Sequence, residues 1–518
     1  MPFRRPSPAR RRPARGTPVG ALALAAAIAC LPGRAASEDS GSPPKLESLD
    51  ARTRLGAEHI RLPGGERLGL VGLTELVSVG GEWWVGPGVY AAMTGLRGGL
   101  FVPGAEVAWS HPFGDYLALD AGLFAGGGGG GNAPVGGGLM LRPHVDLVIQ
   151  PWRGFYTGPT WSVVRFVNGS IDSHQFGWMF NVDTSFRVRS ADRIVPGTLS
   201  DGQANGLGFD RVDALLTQAR PHNSIRVSNG APLTQTIGLV GMRAQHTLAG
   251  GPAWFGIEAS GAASGGVAGY AEVLGVAGVR WPVLGDRFSL GSHLAFGAGG
   301  GGDIHTGGGA IAKAGLDATV RITDALGIGV EGGLERAVRH GHFDARTASV
   351  SLTWWLDAPA TRTWNSAPQA ESTRMEFASG VERYDAARKA GGAQPLAAGM
   401  LQVNRFVTPW LYLTGQAHSA IAGGAGAYSV GLFGVGTQWP LASRLRIGAE
   451  ALAGAAGGGG IDTQGGAIVQ GRGYVDLALT DAISVRVGAG KIKSVHGRLD
   501  APVLDTALVF RFGVDRRR

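Results

Sequence analysis

Residues 445–460 read Leu-Arg-Ile-Gly-Ala-Glu-Ala-Leu-Ala-Gly-Ala-Ala-Gly-Gly-Gly-Gly. Leu445, Ile447, Ala449, Ala451 and Ala453 interleave with Arg446, Gly448 and Glu450 before the run dissolves into glycine. Alternation with a period of two describes a strand that is apolar on one face and polar on the other. The chain then crosses Ile461-Asp462-Thr463-Gln464, passes Gly465 and Gly466, and alternates again. Further on, Ile483, Val485, Val487 and Ala489 stand against Ser484, Arg486, Gly488 and Gly490.

The same passage occurs three times. Gly126 to Gly131 with Gly136 to Gly138, and Gly299 to Gly302 with Gly307 to Gly309, precede Gly457 to Gly460 with Gly465 and Gly466. The flanks repeat too. Trp109-Ser110-His111-Pro112, Trp281-Pro282 and Trp439-Pro440 come before the clusters, and Thr323-Asp324-Ala325 and Thr480-Asp481-Ala482 follow two of them. Cluster starts lie 173 and 158 residues apart (299 − 126 and 457 − 299), far longer than a solenoid or propeller unit, so each copy is a block of several strands. Block two reads as about eight strands, among them Phe288, Leu290, Leu294 and Phe296 against Ser289, Gly291, His293 and Ala295.

Residues 1–35 are of different material. Arg4, Arg5, Arg10, Arg11, Arg12 and Arg15 precede an apolar stretch from Val19 to Leu31, and Gly33-Arg34-Ala35 places small residues at −3 and −1 of a cleavage site. That is the pattern of a secretory signal cleaved after Ala35. Ala27-Ile28-Ala29-Cys30 is a weaker lipobox in which Cys30 would be acylated. Seven arginines and no acid fall in this segment, so the whole-chain charge of +8 becomes +1 (8 − 7) once it is removed. The basic balance therefore gives no support to nucleic-acid binding. Cys30 is the only cysteine, which leaves the exported chain without a disulfide.

Strands of about 9–11 residues suit a tilted barrel crossing a bilayer, and a closed barrel leaves no unpaired edge in lipid. The final alternating stretch, Asp505-Thr506-Ala507-Leu508-Val509-Phe510-Arg511-Phe512, resembles the C-terminal assembly signal of Gram-negative outer-membrane barrels, with Phe510 and Phe512 as the assembly signal. Ala507 stands where that class uses glycine, and Gly513 to Arg518 continue past the terminal aromatic. The resemblance is to a porin-like class as a whole and covers eight residues. It implies outer-membrane lipid and the outer-membrane assembly machinery as partners, with small solutes or an exported polymer as cargo.

The expected architecture is all-β: one large antiparallel transmembrane β-barrel of about 24 strands built from three internal repeats. Its parts would be the signal (1–35), an N-terminal segment (36–65), repeat 1 (66–188), an inserted loop (189–235), repeat 2 (236–356), a linker (357–373), repeat 3 (374–513) and a basic tail (514–518). Three small eight-strand barrels in tandem are the rival, disfavoured by the short linker from Asp357 to Arg374. Within the insert, Val212, Leu215, Leu216 and Ala219 fall on one helical face, with Asp210 as cap and Pro221 as stop.

Aromatics near strand ends, Trp83, Trp84, Trp152, Phe155, Tyr156, Trp254, Phe255, Trp354, Trp355, Trp410 and Tyr412, suit interfacial girdles. The polar strand faces nominate Asp183, Arg187, His293, Glu331, Glu335, Arg446, Glu450, Arg486, Asp505 and Arg511 as lumen-lining residues. Their mixed charge suits a water-filled passage of weak ion preference, or ion pairing across neighbouring strands.

Catalysis finds little to work with. His340, His342 and Asp344 share a strand face without a fourth metal ligand, no Gly-x-Ser-x-Gly elbow is evident, and Gly297 to Gly302 matches G-x-G-x-x-G without a βαβ unit around it. No enzyme, metal or cofactor is expected. The function expected is a channel for passive solute diffusion or export; the other reading is a non-conducting scaffold or surface anchor that binds a partner through its glycine-rich loops.

Overall fold

An even number of antiparallel strands returns a chain to the end from which it set out, and this chain does so three times, after eight strands each time. The structure is a computed structural model that describes residues 46–114, 116–190, 199–200, 209–222, 232–248, 251–285, 287–338, 340–356 and 370–517. The proposed signal, Cys30, and residues 191–198, 201–208 and 357–369 lie outside the described residues. Among the described residues every named element is a strand.

The first barrel runs from β1 (Leu46–Arg61) to β8 (Asp172–Ser190), the second from β10 (Arg211–Pro221) to β17 (Asp344–Trp355), and the third from β18 (Ala370–Ala387) to β25 (Asp500–Arg517). A two-residue strand, β9 (Leu199–Ser200), precedes the second. Each block closes on itself. β1 pairs with β8 from Leu46↔Arg189 to Glu58↔Gly177, β10 with β17 from Arg211↔Trp355 to Pro221↔Ala345, and β18 with β25 from Ala370↔Arg517 to Arg383↔Leu504. All of these pairings are antiparallel.

The expected all-β antiparallel architecture in three repeats is what the chain adopts, but the wide single closure is replaced by three narrow ones. One wide barrel would need full-length pairing between blocks. Among the described residues, strand pairing between the first and third barrels is limited to Phe512↔Ser190 and Gly513↔Arg189 at the ends of β25 and β8, with Ala370↔Ser200 and Glu371↔Leu199 beside them. The short linker was a poor objection. Trp355, at the end of β17, and Ala370, at the start of β18, both lie at the rim where their barrels begin and end.

Two local readings are corrected. Arg211–Pro221 is strand β10, not a helix: it is paired along its length with both β17 and β11 (Ile237–Thr247). Leu215 and Ala219 point inward while Leu216 is 62% exposed. The four apolar residues that make a helical stripe fall on both faces of the strand, Val212 and Leu216 outward and Leu215 and Ala219 inward, and strand partners on both sides decide the matter. The supposed N-terminal segment contains β1, the strand that closes the first barrel.

The faces are inverted relative to a water-soluble protein. Leu294, Phe296 and Leu316 point outward and are 69%, 54% and 69% exposed, whereas Glu272, Glu335 and Arg486 point inward at 0%. At the rim carrying the glycine clusters, the glycine rim, each interior is apolar. In the first barrel Ile60, Leu68, Phe124, Val164 and Phe166 fill it, and the equivalent clusters of the other two barrels include Ile304 and Ile461. Each glycine-rich turn thus tucks one aliphatic side chain, Val135, Ile304 or Ile461, into the end of its own barrel. Toward the opposite, terminal rim the interiors become charged.

Outward aromatics collect at the terminal rim, where Trp83, Trp152, Phe255, Trp281, Trp410 and Trp439 are exposed. Their neighbours turn the other way. Trp254 and Tyr412 are buried, and Trp84 lines the first barrel's terminal mouth.

The glycine clusters also join the barrels into a ring. Gly98, in the turn after β3 (Trp83–Thr94), donates its N–H to Gly307 O of the second barrel at 2.9 Å. Gly269, in the turn after β12 (Ala253–Ser264), meets the third barrel's Gly457 so closely that a Cβ on Gly457 would lie 2.1 Å from Gly269 N. Gly426, in the turn after β20 (Leu411–Ala422), donates to Gly136 O of the first barrel at 3.0 Å. In each case the turn between the third and fourth strands of one barrel docks on the cluster between the fifth and sixth of the next. This head-to-tail order closes after three steps and makes a ring. Arg97 in the first of these turns holds Glu66 at 2.6 Å and donates to Asn132 O at 2.9 Å; the adjacent Glu66 carboxylate raises its pKa.

Candidate functional site

The first barrel's interior is organised around one guanidinium. Arg54 lies 2.6 Å from Glu106, 2.8 Å from Asp120 and 2.9 Å from Asp146. His144 bridges Glu106 at 3.2 Å and Asp146 at 3.0 Å. One layer nearer the glycine rim Arg142 pairs with Glu58 at 2.9 Å, and Glu58 accepts from Ser162 at 2.6 Å. Successive inward positions on neighbouring strands supply these groups, so each carboxylate meets a cation across the narrow interior.

Part of the second interior follows the same rule. Glu258 receives Arg243 Nε and Lys313 Nζ, each at 2.6 Å. Of the nominated residues, Glu331 sits 2.9 Å from Arg243 and 3.4 Å from His293, while Glu335 accepts from Tyr270 Oη at 2.8 Å in another part of the interior.

In the third barrel Arg472 joins two nominated acids, Glu450 at 2.7 Å and Asp505 at 3.0 Å. Arg446, Arg486 and Arg511 converge on Asp476, Arg446 at 3.6 Å and Arg486 at 3.2 Å. Asp183 lies in the first barrel, accepting from Tyr156 Oη at 2.8 Å and Arg52 Nε at 3.3 Å. Arg187 is placed on β8 opposite Ser48, and its side chain lies outside the described residues. Phe510 and Phe512 fall at alternate positions of β25, paired with Phe377 and Met375. The nine nominated side chains that are described are thus distributed over three separate interiors and do not line one lumen.

Sequence reading missed the centre of the first network. Arg52, Arg54 and Glu58 alternate with Thr53, Leu55 and Ala57, the same signal used elsewhere, but they sit in the stretch assigned to an N-terminal segment (36–65) before the first strand. The buried partners Glu376, Asp476, Arg243 and Glu258 were likewise on readable strands and were not nominated.

The first barrel opens at its terminal rim into a cup of about 720 Å³. Arg52 forms part of its lining, with its guanidinium between Trp84 and Tyr156 at 4.7 and 4.6 Å from the ring centroids. Ser110, Gln150 and Arg153 add polar groups to the wall. The volume is within the range that admits a small organic molecule. Inward from the cup, the Arg54 network and then the apolar plug fill the barrel.

No family model matches the chain, and no curated protein matches it. Similar solved structures include OpdQ of Pseudomonas aeruginosa, with 9% identity over 90% of this chain and 98% of that one at a TM-score of 0.21. The siderophore receptor PirA of Acinetobacter baumannii has 9% identity over 91% and 81%, at a TM-score of 0.28. The NanC porin has 8% identity over 60% and 100%, at a TM-score of 0.16. The architecture described above is read from this chain's own strand pairings and does not rest on these likenesses.

Proposed function

We propose that the chain is an outer-membrane protein of a Gram-negative bacterium that lies in lipid as three sealed eight-strand barrels and acts as a non-conducting scaffold or anchor. The observation that carries this is the inversion of faces combined with the filling of the interiors. Apolar side chains stand outward where lipid would solvate them, and buried ion pairs under an apolar plug occupy the space a pore would need. Eight-strand closure leaves an interior just wide enough for side chains, whereas aqueous pores are found at roughly 16–18 strands. Outer-membrane lipid and the assembly machinery remain the partners this reading requires.

The backbones of the glycine-rich loops are engaged by the neighbouring barrels. A partner would meet the outer strand faces or the terminal rim instead. The second reading, passage of a small solute, is favoured by one observation, the cup at the first barrel's mouth. It would require the Arg54 network and the plug to move aside.

Single-channel recording on refolded residues 36–518 in a planar bilayer separates the two. The expected result is a folded, inserted protein with no steady current. A large, stable, weakly selective conductance would refute the scaffold reading, and brief small openings abolished by blocking the cup would favour passage through the first barrel.

A further inference from the structure

Charge is unevenly shared inside the third barrel. Deep in the interior Arg472 is fully engaged: Nε to Glu450 at 2.7 Å, Nη2 to Gln402 at 2.6 Å and Nη1 to Asp505 at 3.0 Å. Nearer the terminal rim four arginines, Arg374, Arg446, Arg486 and Arg511, surround two carboxylates. Glu376 and Asp476 are both fully buried. Arg486 reaches Glu376 at 2.7 Å and Asp476 at 3.2 Å, and Arg511 Nε is 3.6 Å from Glu376. Arg374 donates to Gln438 at 2.8 Å and lies over the Phe406 ring at 3.6 Å.

Among the described residues, five guanidinium nitrogens of this group have no hydrogen-bond acceptor and are buried: Arg374 Nε, Arg446 Nη1, Arg486 Nη1, and Arg511 Nε and Nη1. Arg486 and Arg511 are 0% and 4% exposed as residues. At the same rim of the second barrel Arg211, Arg280 and Arg321 also each leave one guanidinium nitrogen without an acceptor among the described residues, but there the charges balance: Asp210, Asp213 and Asp317 stand among them, with Arg211 2.7 Å from Asp213 and Arg280 3.5 Å from Asp317. Buried cations in excess of their counter-charges are costly unless something neutralises them. Guanidinium forks match the oxygens of carboxylate and phosphate. The side chain of Arg446 is 23% exposed, so the group is reached from the aqueous rim.

We propose that the terminal rim of the third barrel is a binding site for a small oxyanion, held by Arg374, Arg446, Arg486 and Arg511. The site does not depend on whether any barrel conducts.

The test uses the full chain folded in detergent, titrated calorimetrically with inorganic phosphate and, separately, with chloride at matched ionic strength. Saturable phosphate binding is expected, weakened about tenfold or more in Arg446→Gln and in Arg374→Gln, a tenfold change being 1.4 kcal/mol. Arg280→Gln in the second barrel should leave it unchanged. Unfolding supplies a second readout. Phosphate should raise the midpoint of the wild type by mass action, and Arg446→Gln should lose that rise while matching or exceeding wild-type stability in anion-poor buffer. The assignment is overturned if the folded wild type takes up no phosphate or responds equally to chloride. It is also overturned if both rim variants bind as wild type, or if Arg446→Gln is markedly less stable without anion, since its role would then be structural.

Discussion

Arg54→Met is expected to destabilise the first barrel by about 3–5 kcal/mol, the cost typical of breaking a buried ion pair by removing one partner. The figure is a lower bound on physical grounds, because three carboxylates, Glu106, Asp120 and Asp146, lie within 2.9 Å of this one guanidinium. His144 and the more distant Arg52, 3.8 Å from Asp120, would be left to balance them. Arg54→Lys should fall between wild type and Arg54→Met: it keeps the charge, but a single ammonium lacks the fork that reaches several acceptors at once. Urea unfolding from micelles, followed by tryptophan fluorescence, measures the loss. The location of the loss is as informative as its size. Because each barrel closes on itself, an early transition should affect the first barrel and leave the second and third at their wild-type midpoints. A uniform shift of all signals would contradict three independent closures.

Gly457→Ala is the second variant expected to have a large effect. The new Cβ would meet Gly269 N at 2.1 Å and Gly269 Cα at 2.6 Å across the boundary between the third and second barrels. Both neighbours are backbone, so relief requires the two barrels to move apart and no rotamer change suffices. Overpacking of this kind costs typically about 1–3 kcal/mol. Gly431→Ala is the matched control on a neighbouring strand, since nothing lies within 4 Å of its added Cβ. The expected outcome is that Gly457→Ala lowers stability and increases the distance between spin labels on the second and third barrels, whereas Gly431→Ala changes neither. If the two variants behave alike, the close approach is not what holds the boundary.

Much of this was legible in the sequence, and the residues show where legibility ends. Leu445 to Ala453 fixed a two-faced strand, and the Trp-Pro and Thr-Asp-Ala turns fixed a block of about eight strands. Alternation says which face a residue occupies but not which distant strand lies beside it. The pairing of Leu46 with Arg189, or Ala370 with Arg517, is a long-range fact that a local period cannot carry. Size of the inward residues was the available clue. Arg142, His144, Arg243, Lys313, Arg472 and Arg486 are bulky and oppositely charged to their facing neighbours, which suits a filled narrow barrel better than the wall of a broad one. The Asp210 to Arg220 stretch reads as a helix because apolar Leu215 and Ala219 face inward while apolar Val212 and Leu216 face outward, which blurs the alternation and leaves a helical stripe in its place. The candidate sites were only half visible because Glu450 and Arg486 could be nominated from their strands, but the surplus of arginines near Asp476 appears only when five strands are brought together.

The ring of barrels is made from one polypeptide, and that changes what substitution can do to it. In a trimer of identical subunits every mutation arrives in triplicate, so a change at one boundary alters all three and a pocket in one subunit appears in each. Here Gly98, Gly269 and Gly426 occupy comparable boundaries but are encoded separately, and each can vary while the other two keep the assembly intact. The cup beside Arg52 and the arginine surplus beside Asp476 are differences of that kind. Covalent linkage also holds the neighbours at a high effective concentration, so a boundary weakened by drift need not dissociate, and stoichiometry is settled at translation.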